Sequence, residues 1–261
     1  MTVPTTLLKD KKIAVFGVAN KWSIAWAITQ SLAAAGARIA LTYIDERTEE
    51  KVRSLAAALP HHPLVLPCDV TKDDQIESVF NKIKHEFGAL DGLIHAIAYA
   101  RKEELEGSFL KTTREGFQEA LDVSAYSLTA LARGAAPLMQ GRDGCIVTLS
   151  FLGGFRVVPN YNVMGVAKAA LETSVRYLAA ELGSRRIRVN CISAGPINTL
   201  AARGISNFHN LLSHTAGKAP LQRNIDADEV ADTALYLCSH LARGVTGEIL
   251  YVDAGYHIIG V

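Results

Sequence analysis

A chain of 261 residues with 49% hydrophobic side chains is long enough to bury the core of one large α/β domain. Its 27 basic and 26 acidic side chains nearly cancel, which excludes the charge footprint that nucleic acid or an anionic membrane requires and leaves a small-molecule substrate as the expectation. Cys68, Cys145, Cys191 and Cys238 show neither Cys-x-x-Cys spacing nor a His-rich neighbourhood, so they read as buried thiols, with no metal site and no disulfide framework expected.

In chain order, the amino terminus MTVPTTLLKDKK has no basic start followed by an apolar stretch. No later run reaches the ~18 apolar residues of a membrane span, and the expectation is a cytoplasmic protein. A β-type run at 12–16 leads into helical patterning at 23–35. The pair repeats as 38–43 with 46–59, 64–66 with 72–87, 90–96 with 113–139, and 145–149 with 160–182. A run at 187–192, helical patterning at 226–241 and a last run at 248–252 complete the series. This alternation spells βαβ repetition. Because IAVF, GLIHAIA and CIVTLS are apolar on both faces, they read as strands covered by helices from both sides. The expected fold is therefore α/β: a Rossmann-type, doubly wound parallel sheet of seven strands in the order 3-2-1-4-5-6-7, within a single domain spanning 1–261. Gly36, Gly88 and Gly183 stand where a left-handed residue stops a helix. The stretch 194–223 is rich in Gly, Asn and Ser and only weakly periodic, and reads as a long functional or mobile loop.

The first strand is followed by Gly17, a long turn, and then Ser23, Ile24 and Ala25 at the start of a helix, where a dinucleotide pyrophosphate would meet free backbone amides. The G-x-G-x-x-G fingerprint is absent, although Ser23 and Ala25 are small enough for close backbone approach. The third strand ends at Cys68-Asp69-Val70, where Asp69 either accepts from an adenine amino group or caps the next helix. The second ends at Ile44-Asp45, and an acidic residue there favours the free 2′-hydroxyl of NADH over the 2′-phosphate of NADPH. Arg47 nearby is the feature that would accommodate the phosphate.

Tyr161 and Lys168 lie seven residues apart in PNYNVMGVAKAALE. At ~3.6 residues per turn that places them within about 20° of one helix face, roughly 10.5 Å apart along the axis. The pattern resembles the short-chain dehydrogenase/reductase superfamily, whose common members place the Tyr four residues before the Lys. The longer spacing, the Gly17 to Ala25 turn, ISAGPINTLAA and the terminal GEILYVDAGYHI together resemble bacterial enoyl-acyl-carrier-protein reductases, over nearly the whole chain.

That resemblance implies NADH (NAD+) as cofactor, held by Gly17, Ser23, Ile24, Ile44, Asp69, Val70, Ile97, Lys168, Ile197 and Thr199, with catalysis by Tyr161 and Lys168. It places Ala100, Phe151 and Tyr161 at the substrate, an enoyl-acyl carrier protein or enoyl-CoA. The implied reaction is hydride transfer to the β-carbon of a trans-2-enoyl thioester in fatty acid synthesis, in a homotetramer. The same segment 194–223 then covers substrate and cofactor, with Leu200, Ile205, Phe208, Leu211 and Leu212 facing an acyl chain; the alternative is a small satellite core. Ile44 departs from the polar residue some members have, and Phe151 stands where many have a second Tyr. His95, at the end of the fourth strand, reads as a packed histidine bonded to backbone rather than an acid or base. A carbonyl (ketoacyl or steroid) reductase on the same scaffold is the alternative activity, and a non-catalytic NADH-binding protein a more distant one.

Overall fold

The computed structural model of the chain describes residues 6–199 and 208–260. Seven parallel strands pair in the order β3-β2-β1-β4-β5-β6-β7, as the alternation of runs predicts. They are β1 (Lys12–Phe16), β2 (Arg38–Tyr43), β3 (Leu64–Pro67), β4 (Gly92–His95), β5 (Gly144–Phe151), β6 (Ile187–Ala194) and β7 (Ile249–Val252). Nine α-helices are formed by the described residues: α1 (Ile24–Ala34), α2 (Glu46–Ala57), α3 (Asp73–Phe87), α4 (Lys102–Leu105), α5 (Arg114–Leu121), α6 (Ser127–Met139), α7 (Asn162–Leu182), α8 (Phe208–Lys218) and α9 (Ala227–Cys238).

Two-residue alternation along each strand divides the core into two layers. Ile13 and Val15 pack with Ile28 and Leu32 of α1 and with Val230 and Ala234 of α9. Ala14 and Phe16 face the other way, into Phe80 and Ile83 of α3, Leu131 of α6 and Leu171 of α7. Each large side chain buried this way contributes about 1.5–3 kcal/mol, which is why the apolar runs fix the strands so well. Below the sheet, the buried Asp91 accepts from the Lys12 backbone amide at 3.0 Å and from the Arg142 guanidinium at 3.1 Å, with Lys11 beside it. Burial raises its carboxyl, but these donors outweigh it and hold the group below the usual carboxylate range. The cysteines carry free thiols, three buried and Cys238 half-buried.

The structure corrects the sequence reading at four places. The helix expected over 113–139 is two helices joined by a five-residue π turn, Asp122–Tyr126. There the Ser124 hydroxyl leaves the helix to bond the amide and carbonyl of Tyr99, at 2.9 and 3.0 Å. Gly36 and Gly88 do take left-handed conformations, but Gly183 stays right-handed and opens a short 3-10 turn. The left-handed residue is Arg186, whose guanidinium grips Asp143 through two bonds of 2.7 and 2.8 Å. The stretch 194–223 is not all loop, since it contains α8; Leu200 and Ile205 lie outside the described residues. The short α4 has no counterpart in the sequence reading, because four residues are too few for a helical period to show.

Candidate active site

A cleft of about 790 Å³ opens where the carboxyl ends of β1 to β5 meet. Since β1 has β2 on one side and β4 on the other, the chain departs in opposite directions at this point, leaving the crevice that doubly wound sheets use for ligands.

At one end of the cleft Gly17 takes φ +108°, and a Cβ there would stand 2.1 Å from the Ala96 carbonyl oxygen. Only glycine permits this crossing of β1 over the end of β4. Ser23 sits at the N-cap of α1, yet its hydroxyl turns back to accept from the amides of Ala19 and Asn20, at 3.3 and 3.1 Å. It therefore caps nothing in α1. The first-turn amides of Ile24 and Ala25 face the cleft without a partner among the described residues, and no acidic residue occupies that turn. Free amides at a helix start suit a pyrophosphate, so the residues present fit a dinucleotide.

Further along, Ile44 is exposed and lines the cleft together with Tyr43 and Thr48. The Asp45 carboxylate accepts from the Thr48 amide and hydroxyl, both at 3.0 Å, in a capping box that starts α2. One of its oxygens, Oδ1, is thus committed to the helix. Asp69 lines the cleft and accepts from the Thr71 amide and hydroxyl at 3.0 and 2.7 Å. Burial raises its carboxyl, while the Thr71 bonds and Lys72 bring it below the ordinary value. It fastens its own turn and is not the cap of α3, which is Lys72.

The other end is built from buried side chains. Tyr161, at the N-cap of α7, packs edge-on against Phe151 with ring centroids 5.0 Å apart. Burial pushes its phenol well above the ordinary range, with Glu172 adding to the shift, so the hydroxyl keeps its proton. That hydroxyl bonds to no described residue. Lys168, two turns on, is only 5% exposed and donates to the Leu149 carbonyl at 2.8 Å. Desolvation brings its amine down to about 8, opposed by Cys191 and Glu172. Ser150 of β5 donates at 2.5 Å to the buried Glu172, one turn beyond Lys168. The turn after β5 lies close against α7 because Gly153 and Gly154 lack side chains; a Cβ on Gly153 would stand 2.3 Å from the Tyr161 ring.

His95 is fully buried beneath this end, 2.7 Å from the Thr148 hydroxyl and 2.8 Å from that of Ser127. Ser127 donates onward to the Val123 carbonyl, so its oxygen accepts from His95 Nε2–H and Thr148 donates to Nδ1. Desolvation and the nearby Lys168 charge lower the imidazole to about 3. It is a packed neutral ring, as expected, but its partners are hydroxyls rather than backbone.

On the far side of Phe151 lies a second hollow of about 610 Å³, bounded by Val158, Pro196, Tyr256 and, from α8, Leu211, His214 and Thr215. Phe151 is a wall common to both spaces.

A family model described as "Enoyl-(Acyl carrier protein) reductase" matches residues 17–257. The NADH-dependent enoyl-[acyl-carrier-protein] reductase of Bacillus subtilis is 54% identical over 252 residues, covering 96% of this chain and 97% of the relative. The chain belongs to the enoyl-(acyl carrier protein) reductase family. Among solved structures, the Bacillus cereus reductase with NADP+ and indole naphthyridinone superposes with a TM-score of 0.96 at 53% identity, covering 98% of this chain and 99% of that one. The Anaplasma phagocytophilum reductase in complex with NAD superposes at 0.93 with 46% identity, covering 98% and 97%.

In this enoyl-(acyl carrier protein) reductase, Gly17, Ser23, Ile24, Ile44, Asp69, Val70, Ile97, Phe151, Tyr161, Lys168 and Thr199 all line the one cleft. Two expected residues do not. Ile197 packs against the core layer on the α1 side, and Ala100 sits half-buried in the small cluster around Tyr161. Ser150, Glu172 and Val123 were not singled out by the sequence reading. Glu172 left a signal: at four residues past Lys168 it shares that helix face. Ser150 and Val123 left none, since one resembles any strand residue and the other owes its place to the π turn.

Proposed function

We propose that the chain reduces the 2,3 double bond of a trans-2-enoyl thioester carried on acyl carrier protein or coenzyme A, with NADH, as an oxidoreductase of fatty acid synthesis. The observation that carries this reading is the Tyr161 phenol, protonated and without a partner among the described residues, in the same cleft as the Lys168 amine and the open start of α1. NADH supplies hydride to the β-carbon. Negative charge then collects on the thioester oxygen, and Tyr161 donates its hydrogen bond there, in a setting where one well-placed donor counts heavily. Lys168 holds the nicotinamide ribose and keeps positive charge near. Gly17, Ser23, Ile24 and Val70 line the pyrophosphate and adenosine path; Ile44 gives apolar contact beside adenine, and Asp69 accepts from its amino group. Ile97 and Thr199 complete the nicotinamide side and Phe151 borders the acyl thioester, while Ile197 and Ala100 act from behind the cleft wall. The hollow beyond Phe151 takes the acyl chain, and α8 borders it. The names of the relatives support NADH, while the NADP+ in the Bacillus cereus structure shows that a relative accepts the phosphate.

Among the described residues no helix is long and apolar enough to cross a membrane. The resemblance supports a cytoplasmic homotetramer acting on enoyl thioesters of acyl carrier protein or coenzyme A, without nucleic acid or membrane partners. The deciding assay follows NADH consumption with an enoyl thioester and a ketoacyl thioester side by side. Turnover of the enoyl substrate is expected. Turnover of the ketoacyl substrate alone would replace this reading with carbonyl reduction, and NADH binding with no turnover of either would leave a sensor.

A further inference from the structure

The region behind Lys168 holds a buried carboxyl that the proposed reaction does not use. Glu172 is 8% exposed, lies one turn beyond Lys168 on the inner face of α7, and accepts from Ser150, itself a wall residue of the cleft. A carboxylate buried this deeply costs stability unless it does something for its neighbours. We propose that Glu172 is a positioning residue that keeps the Lys168 side chain in its ammonium form at the cleft wall, with Ser150 as the hydroxyl that anchors its carboxylate.

The groups facing the pair from every packed element leave Glu172 alone in this role. From β4 comes His95, a neutral ring with its amine-facing side already bonded. From β6 comes Cys191, whose thiol burial pushes well up, with Glu172 adding to it. From β7 comes Tyr251, its phenol raised by burial and by Glu172. Tyr161, on α7 itself, also stays protonated. The carbonyl of Leu149 in β5 is a dipole only. Arg176, a further turn along α7, is the one other cation near Glu172. Among the described residues, Glu172 is therefore the carboxyl placed to set a formal negative charge facing Lys168. Burial raises its carboxyl, opposed by the Ser150 bond, Arg176 and Lys168. The two side chains form no contact ion pair, so the coupling acts through space across a helical turn of low-dielectric interior, where one charge can move another's titration by a unit or more.

This rests on the assignment of Lys168 to the cofactor. It predicts an alkaline limb of NADH affinity, set by Lys168 at about 8. The test is a fluorescence titration of NADH from pH 5 to 10 on the full chain, in the wild type, E172Q, S150A, K168R and E172Q/K168R. E172Q is expected to move the alkaline limb down by about one unit. At pH 8 the protonated fraction of Lys168 then falls from about one half to about one tenth, and affinity weakens about fivefold. S150A keeps the charge and is expected to leave the alkaline limb in place. K168R, which cannot lose its proton here, is expected to show no alkaline limb, and E172Q on that background none either. An alkaline limb unmoved in E172Q, or an affinity loss equal at all pH values, overturns the proposal and leaves Glu172 a packing residue. Should E172Q not fold, E172M takes its place in the titration, and an alkaline limb unmoved there overturns the proposal instead. Failure of the wild type to bind NADH at any pH is a different result, and defeats the assignment of the cofactor site itself.

Discussion

At the β1-β2-β3 end of the cleft, shape comes from backbone and from polar side chains that bond within their own turns: Ser23 to Ala19 and Asn20, Asp45 to Thr48, Asp69 to Thr71. At the β5-α7 end it comes from side chains separated widely in sequence and nearly removed from water, Ser150 with Glu172 and Lys168 with Leu149. The first end presents donors to a ligand; burial raises Asp69 there, but the bonds of its own turn outweigh it, and burial pushes Cys68 beside it up to about 12. The second stores electrostatic cost, with a depressed amine at Lys168 and raised acids at Tyr161 and Glu172. Binding surface can be assembled from local turns; a reacting centre needs groups the fold has forced together.

The largest expected effect tests whether the open end is as forgiving as its exposed side chains suggest. Gly17→Ala places a methyl 2.1 Å from a backbone oxygen at a positive φ, and neither can yield cheaply. We expect NADH binding to be lost in calorimetric titration, together with a lowered Tm. A variant binding within threefold of wild type would mean that the crossing over β4 relaxes. Next, Tyr161→Phe should lower kcat about 100-fold with an enoyl thioester while leaving the NADH Kd nearly unchanged, because the phenol acts only on developing charge. Near-normal kcat would move the donor elsewhere.

Lys168→Met sharpens the contrast through stability. The folded value of about 8 lies below the ordinary 10.5, so between those pH values the unfolded chain binds the additional proton. Stability attached to this group is therefore lowest below pH 8 and rises as pH climbs toward 10.5. Removing the amine should stabilise the protein by about 2 kcal/mol at pH 7 in urea titrations, and by much less at pH 10.5, while weakening NADH binding. Destabilisation at both pH values would show that the Leu149 bond outweighs the desolvation.

Asp45→Ala should cost about 1 kcal/mol through loss of the α2 cap, and should change the ratio of kcat/KM for NADPH and NADH only slightly. A large, selective gain with NADPH would restore Asp45 as the discriminating group. Phe151→Tyr is the smallest: a hydroxyl added to a wall that did not evolve around it should alter kcat by less than about tenfold.

The same contrast explains what could be read in advance. The sheet was legible strand by strand, because apolar runs of both-face burial such as IAVF leave no other home for themselves. The open end was legible too, since Gly17, Ser23 and Asp69 follow their strands directly and the topology carries strand ends to one place. The buried end was half legible. Tyr161 and Lys168 stand in a helical spacing, but Ser150 meets Glu172 across 22 residues, and no local pattern announces which serine a strand will turn toward a helix. Asp45 shows the opposite case: a carboxylate at the end of β2 serves a ribose or a helix equally well, and its Oδ1 bonds to Thr48 add the helix role that spacing alone did not show.

The π turn at Asp122–Tyr126 has a consequence best expressed as an angle. Each residue of a helix advances the chain by about 100° around its axis, so this turn acts as a phase correction between α5 and α6. With it, Val123 reaches the cleft, Ser124 the Tyr99 backbone, Ser127 the His95 ring, and Leu128 and Leu131 the sheet. Substitutions here change shape alone. Deleting a single residue from 122–126 would instead rotate all of α6 by about 100° against α5, swinging Ser127 off the histidine and the leucines off the sheet in one step.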